Sequence, residues 1–398
     1  MDRNRGLLRL LRPESLLLFA FLAVLAWAPF PNGSSHAWAE LALGAGLGAI
    51  LFVWSGLALT GFTTAPLPVR RIALPATCIA AALIWAFAQA LDLQTVASLT
   101  SIDLRGLAHP MWSMTSNALG RDVGAYLSVA PELTRHAIFT TVLGIGAFLA
   151  AFELARDRDR ALMRLGGIVI IAVAYAVAAI ASLYLELDPE SLVRLRARAA
   201  FGAVAGPFAS ANHFSTFMSL GALAGMGLFV ETLRQAVVWD RGPRVMLRTA
   251  TRALSGRSAL WLVAIAIIIA ALVLTQSRGV IAFLIGSLAL IIALAAGRRW
   301  SSGEEAGQRA MTAVLVAVLG IVIALSLDPL SGRANGQGID ERTRAALAES
   351  SMKAIAAAPL VGHGFGAFRR YHTLFTDGSI PTDVEGVHND LLETLADL

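Results

Sequence analysis

The sequence predicts an all-α, polytopic membrane protein, and three observations lead to this fold class. Of the 398 residues, 57% are hydrophobic and only 15% are charged, with a mean hydropathy of +0.67. Soluble globular proteins typically carry about 25% charged residues. The apolar residues also come in long blocks, and residues 263–274 include no polar side chain at all. Most of the chain is therefore expected to lie in helices that cross a bilayer.

About nine transmembrane helices are expected, because nine blocks approach the roughly 20 apolar residues that a spanning helix needs. The blocks are 15–30, 37–60, 72–91, 134–154, 165–187, 212–232, 259–275, 279–297 and 310–327. Residues 1–327 thus form helices with short loops, and residues 328–388 form one large loop between the ninth and tenth helices. Residues 389–398 read as the start of that tenth helix, so we expect the chain to be truncated at Leu398.

The arginine distribution predicts how the helices are oriented. Lys and Arg are enriched in the cytoplasmic loops of membrane proteins. With the N-terminus in the cytoplasm, the inside segments hold nineteen Arg and the short outside segments hold six. This orientation places three long segments outside, which are 92–133, 188–211 and 328–388. The first contains Trp112, Tyr126 and Pro131 and suits a flap at the membrane interface.

Composition disfavours several function classes. The net charge of +5 comes almost entirely from Arg at the block ends, which fits lipid headgroups and topology rather than nucleic acid. The single cysteine, Cys78, excludes an intrachain disulfide and makes redox chemistry an unfavoured interpretation. The basic, then apolar N-terminus resembles a secretory signal, but eight further blocks favour an uncleaved first helix. The motifs HExxH, CxxC and GxSxG are absent.

Arg278 is the sharpest candidate for a functional residue. It lies in a very short outer turn between two strongly apolar helices, where a charge is more often functional than not. The alternative is that its guanidinium reaches lipid headgroups at the surface.

Arg344 is the second candidate, on a helix predicted over residues 340–360. At 100° per residue it shares a face with Leu347, whereas Arg342 shares the opposite, solvated face with Glu349 and Lys353. An Arg that points inward needs an anion as its partner. A structural salt bridge with a carboxylate is the alternative.

Histidines supply the remaining candidates. His388, followed by Asn389, begins the final apolar helix on the outer side, where an imidazole can accept a proton at neutral pH. His213, after Asn212 at the start of the sixth block, has the same ambiguity, because a lone His at a helix start is often only a cap. The glycines of PLVGHGFG at 359–366 permit tight turns and close packing.

Four pieces of sequence share the predicted outer side: GPFASANHF at 206–214, SRG at 277–279, Arg344 fifteen residues before 359–366, and His388-Asn389. In this order they resemble the O-antigen ligase and polymerase family of bacterial envelope glycosyltransferases. The resemblance covers roughly residues 100–398. This sequence departs from the family pattern at Ala348, four residues after Arg344, where the family often has Trp. The family's closing motif, His-Asn and then Gly after nine residues, would need one residue more than this sequence has.

The resemblance implies a metal-independent, inverting glycan transfer at the periplasmic face of the bacterial inner membrane. The donor would be a glycan on undecaprenyl diphosphate, and the acceptor would be lipid A–core or another glycan. Arg278 and Arg344 would bind the diphosphate, His388 would take the acceptor proton, and Asn212, His213 and Asn389 are possible further site residues. No cofactor is expected. Asp383 and Glu385 could bind a metal, but their spacing is not diagnostic.

Three alternatives stay open. A polymerase of the same family would use a second lipid-linked repeat as acceptor, and some relatives use a protein Ser. A transporter for lipid-linked glycans would also need spans and inward Arg, but transporters usually show repeated halves. A non-catalytic scaffold would not require Arg278, Arg344 and His388 to converge.

Overall fold

A computed structural model describes ten stretches of the chain, which together hold twelve α-helices and no β-strand. The described residues are 13–30, 32–63, 73–100, 102–182, 204–208, 210–236, 256–275, 277, 341–376 and 390–398. The helices are α1 (Pro13–Trp27), α2 (Ala37–Leu59), α3 (Ala73–Gln89), α4 (Leu93–Thr100), α5 (Pro110–Leu119), α6 (Pro131–Leu154), α7 (Arg158–Ser182), α8 (Ala211–Ala236), α9 (Arg257–Leu274), α10 (Glu341–Ala357), α11 (Phe368–Tyr371) and α12 (Asp390–Asp397). Three short 3₁₀ helices lie at Asn32–Ser34, Arg105–Leu107 and His372–Leu374.

Four of these helices, α2, α6, α7 and the Ala211–Thr232 part of α8, are long and apolar enough to cross a membrane. A fifth is possible if α3 and α4, which are bent by 91°, count as one span. The expected all-helical, polytopic architecture is therefore present, but the expected nine spans are not found in the described stretches.

The difference from nine has two origins. Predicted spans 279–297 and 310–327 lie outside the described residues. Among the described helices, α1 has 15 residues, and the apolar part of α9, Ser258–Leu274, is also too short to count as a span. At 1.5 Å per residue, α1 reaches only about 22 Å, against a hydrocarbon core of about 30 Å.

The chain divides into two compact units. The first contains Met1–Ala65 and Leu149–Gln337, and the second contains Pro66–Phe148 and Gly338–Leu398. In the first unit, α7, α8 and α9 pack around a core of small and aliphatic residues. Gly221 of α8 lies so close to α7 that an added Cβ would come within 2.4 Å of the Ala172 Cβ. Small residues of this kind let membrane helices approach closely.

Polar contacts hold the ends of the helices in the first unit. Arg160, near the start of α7, forms a largely buried ion pair with Glu14 in the first turn of α1, at 3.0 Å. The Tyr175 hydroxyl of α7 donates a hydrogen bond of 2.7 Å to the carbonyl of Ala26, at the other end of α1. These contacts fix α1 along the length of α7.

The second unit has its own small core. Leu347 and Ala354 of α10, Phe368 and Tyr371 of α11, and Ala396 of α12 are buried together, with further apolar side chains packed around them. Val129, in the segment between α5 and α6, also belongs to this core.

Candidate functional site

The start of α8, in the first unit, brings two of the four motif pieces together. Asn212 lies in the first turn of α8, and its side-chain oxygen accepts a 3.0 Å hydrogen bond from the Ser277 hydroxyl, which follows the end of α9. The backbone N–H of Val204 donates to the carbonyl of Leu274, the last residue of α9, at 3.1 Å. Residues 204–214 are thus joined to the end of α9 at two points.

The glycine of this segment has a packing role. Gly206 has a φ of +54°, and a Cβ there would come within 2.8 Å of the Phe214 ring, which is fully buried. His213 is exposed on the first turn of α8. Arg278 directly follows Ser277 but lies outside the described residues, so its predicted role is not tested.

Helix α10 agrees with the predicted helix over 340–360, since it runs from Glu341 to Ala357 and stops before Pro359. Leu347 and Ser351 are fully buried, while Glu349 and Lys353 are exposed and form a 2.9 Å ion pair with each other. The two faces predicted for this helix are therefore present. Position 344 precedes Leu347 by three residues and Ser351 by seven, which is the spacing of the buried face. The side chains of residues 341–345 lie outside the described part.

The glycine-rich segment 359–366, called the glycine loop below, packs more closely than a side chain would allow. Gly362, Gly364 and Gly366 all have positive φ, and Gly364, at +114°, is the most demanding. A Cβ on Gly364 would lie 2.1 Å from the Ser128 hydroxyl oxygen, and one on Gly362 would lie 2.3 Å from the Asp397 carbonyl oxygen. The prediction that these glycines serve packing is confirmed.

Gln89, the last residue of α3, joins the glycine loop to α12. It is fully buried, and its side-chain N–H groups donate to the carbonyls of Val361, at 2.8 Å, and Asp397, at 2.9 Å. Its side-chain oxygen accepts from the backbone N–H of Phe365 at 3.0 Å. A single amide side chain thus satisfies three backbone groups on two segments.

Asp397, near the end of α12, supplies the second set of contacts. One carboxylate oxygen accepts from the Gly366 backbone N–H, and the other accepts from the Tyr371 hydroxyl, each at 2.8 Å. Its carbonyl also accepts from the backbone N–H of Gly364 at 3.1 Å. Burial raises the pKa of the Tyr371 hydroxyl, and the Asp397 carboxyl beside it adds to the rise. The hydroxyl therefore stays a proton donor at all physiological pH values.

Two histidines form a hydrogen-bonded pair whose tautomers follow from their outer partners. The Met111 backbone N–H can only donate, so Nδ1 of His109 accepts from it, at 3.3 Å. His109 Nε2 therefore carries the proton and donates to Nδ1 of His363, at 3.3 Å. His363 Nε2–H in turn donates to the carbonyl of Ala354, at 2.9 Å. Both imidazoles are thus neutral in this arrangement.

The electrostatics agree with a neutral pair. Burial, together with the neighbouring His363, lowers the pKa of His109 to about 4. Burial also lowers the pKa of His363, although its bond to the Ala354 carbonyl acts in the opposite direction. Tyr371 and Phe375 pack on the His363 ring, with centroids 4.8 Å and 5.2 Å away. This environment makes a second proton on either ring unfavourable near neutral pH.

A cavity of about 390 Å³ borders this pair in the second unit. Residues 107–110, the end of α10 and the glycine loop line it, and Phe375 adds an aromatic wall. The bordering imidazole nitrogens already have hydrogen-bond partners, so the cavity presents a mainly apolar surface.

The remaining sequence candidates cannot be placed. His388 and Asn389 lie outside the described residues, directly before Asp390, the first residue of α12. Asp383 and Glu385 also lie outside them. Within the described stretches, no group of three or more His, Cys, Asp or Glu side chains is arranged to hold a metal ion.

Three residues of these contacts were not predicted from the sequence: Gln89, His109 and Asp397. Gln89 carried a usable signal in the sequence, because a Gln at the end of an apolar block must find hydrogen-bond partners where water is scarce. His109 and His363 are 254 positions apart in the chain, and Gln89 and Asp397 are 308 apart, so neither pairing follows from a local pattern.

Comparison with known proteins identifies a family for the C-terminal part of the chain. Residues 262–398 match the family model described as O-antigen ligase. The matched segment includes Arg278, Arg344, the glycine loop and His388, whereas residues 206–214 precede it. No curated protein and no solved structure matches the chain. For residues 262–398, this match confirms the family predicted from the motifs.

Proposed function

We propose, on the premise that residues 262–398 form an O-antigen ligase domain, that this protein transfers a glycan from undecaprenyl diphosphate to an acceptor hydroxyl. The reaction takes place at the periplasmic face of the inner membrane, and lipid A–core is the proposed acceptor. The observation that carries the proposal is that one family match includes Arg278, Arg344 and His388 together. The predicted topology places all three on the outer side.

The chemistry assigns a role to each residue. The acceptor oxygen attacks the anomeric carbon, the bond from that carbon to the diphosphate oxygen breaks, and the configuration inverts. His388 takes the proton that the acceptor hydroxyl loses. Arg278 and Arg344 bind the diphosphate, whose negative charge grows as it leaves, with planar guanidinium groups that grip two oxygens at once.

Neighbouring residues give these roles a physical setting. The buried face of α10 around Leu347 and Ser351 is the face to which position 344 belongs. Ser277, the residue directly before Arg278, is hydrogen-bonded to Asn212. Asn212, His213 and Asn389 are proposed as additional contacts to the substrates.

The test is transfer by the purified protein from a lipid-linked glycan to lipid A–core, with and without EDTA. We expect product in both, because arginine side chains neutralise the diphosphate in the proposed mechanism. Arg278→Lys keeps the charge but loses the planar fork, so transfer should drop severely. His388→Ala should abolish transfer while donor binding stays nearly intact. Unchanged product from the Lys variant, at matched expression, would reject the role of Arg278.

A deletion strain separates the ligase from its alternatives. For a ligase, silver-stained lipopolysaccharide should show bare core, with lipid-linked polymer accumulating. Core with a single repeat would instead identify a polymerase of the same family. A transporter would leave the purified protein without transfer activity, because it makes no glycosidic bond.

A further inference from the structure

Two buried polar side chains, Gln89 and Asp397, hold α12 at a fixed place on the glycine loop. Gln89 bonds Val361 and Phe365 of the loop and the carbonyl of Asp397. The Asp397 carboxylate bonds the Gly366 N–H of the loop and the Tyr371 hydroxyl of α11. We call these two side chains and their five partners the clamp.

The composition of the clamp indicates positioning rather than stabilisation. Gln89 is fully buried and Asp397 is 3% exposed. Burying an amide or a carboxyl costs free energy that hydrogen bonds only offset, and apolar side chains of similar volume are often at least as stabilising. What the polar contacts add is direction, since each bond is satisfied in only one placement of α12.

The clamp also relates α12 to α10. The His363 backbone N–H donates to the carbonyl of Ala396 of α12, and the side chain of the same residue donates to the carbonyl of Ala354 of α10. Leu392 of α12 packs against the core cluster that contains Leu347 and Ala354 of α10. The glycine loop therefore joins the C-terminal parts of both helices.

A short helix moves as a rigid body, so a displacement at the clamp would also displace the other end of α12. This helix has eight residues, so its start at Asp390 is about 10 Å from Asp397. His388 precedes that start by two residues. A misplacement of about 1 Å in a reacting group can cost a factor of about 100 in rate.

We propose that Gln89 and Asp397 are positioning residues, which set the place of α12 and thereby present His388 to the acceptor hydroxyl. This role rests on the proposed function, because it assumes that His388 is the base. It assigns no contact with either substrate to Gln89 or Asp397.

The test compares three clamp variants with one control in the full-length protein. Asp397→Leu and Gln89→Leu remove the hydrogen bonds of the substituted side chain. Asp397→Asn keeps the bond from the Gly366 N–H, and its amide donates to the Tyr371 oxygen, so a bond of opposite direction joins the same two side chains. The control is Gln94→Leu, the same change at an exposed Gln of the same unit that bonds Asp122. The readouts are kcat, the donor KM, and amide hydrogen exchange in residues 359–366 and 391–397.

We expect both Leu variants of the clamp to lose tenfold or more in kcat, with donor KM within about twofold of wild type. Their amides in the two segments should exchange faster. Asp397→Asn and Gln94→Leu should stay near wild type in all three readouts. A residue that only supported the fold would lower extracted yield and donor binding along with kcat.

Several outcomes would overturn the role. Faster exchange with unchanged kcat would show that the place of α12 does not matter to the reaction, and an Asn variant as impaired as the Leu variant would show that the charge matters. If the Leu variants cannot be extracted, Tyr371→Phe removes one clamp bond and must show the same split between kcat and KM. An inactive wild type rejects the proposed function, whereas an active one with insensitive clamp variants rejects only this inference.

Discussion

At the scale of single residues, the neutral pair His109–His363 makes the second unit sensitive to acid. An unfolded chain binds a proton on His near pH 6.5, whereas burial holds the pKa of His109 at about 4 and that of His363 below its usual value. At these two rings the folded state binds fewer protons between these pH values. The stability that the pair contributes should therefore be complete above about pH 6.5 and fall as the pH drops towards about 4.

Thermal unfolding of the solubilised protein at pH 7.5 and pH 5 tests this dependence. His109→Asn keeps an acceptor for the Met111 N–H at the start of α5 but removes the titrating ring. We expect the loss of stability on acidification to shrink, by an amount on the order of 2 kcal/mol, because one pKa unit corresponds to about 1.4 kcal/mol. His213→Asn, at an exposed His, should leave the acid sensitivity unchanged. Equal acid sensitivity in wild type and His109→Asn would contradict the prediction.

At the scale of elements, the sequence predicted each described helix that a long apolar block or a marked amphipathic pattern specifies. The described parts of seven predicted spans are helical, and α10 has the buried and exposed faces that its periodicity indicates. The sequence did not predict α5, which is short, or the right-angle bend between α3 and α4. Nor did it predict the clamp, because Gln89 meets Asp397 only after two distant segments pack together.

The faces of α10 lead to a prediction about its two arginines. Positions 342 and 344 are separated by about 200° around the helix, so only one can share the buried face of Leu347. By its spacing, position 342 lies on the same helix face as the exposed Glu349 and Lys353. A charge on such an exposed face contributes roughly 0–1 kcal/mol of stabilisation. Arg344→Ala should therefore lower transfer by about two decades or more, and Arg342→Ala should be nearly silent.

Both alanine variants would be assayed for glycan transfer in membranes, with detergent-extracted yield as the measure of folding. The two changes remove the same side chain two positions apart, so each is the control for the other. An inactive Arg342→Ala beside an active Arg344→Ala would show that the assignment of the two faces and the motif alignment are both wrong.

At the scale of the whole molecule, the function depends on which ends of the helices face the periplasm. Two contacts in the first unit agree with the number of spans predicted between the helix ends that they join. The Glu14–Arg160 ion pair joins two helix starts that are both predicted to be cytoplasmic. The bond between Ser277 and Asn212 joins the end of α9 to the start of α8, both predicted to be periplasmic. An even number of membrane crossings must therefore separate the members of each pair, whichever side faces the periplasm.

Cysteine labelling in cells tests the orientation itself. Cys78 is the single cysteine of the chain, so Cys78→Ser gives a background without thiols. Into it we would place Asn117→Cys, on exposed α5, or Asp157→Cys, in the exposed turn between α6 and α7. A membrane-impermeant maleimide should label position 117 in intact cells and position 157 only after permeabilisation, because the arginines that flank Asp157 hold that turn inside. The reverse pattern would put segment 328–388, and His388 with it, in the cytoplasm, where periplasmic glycan transfer is impossible.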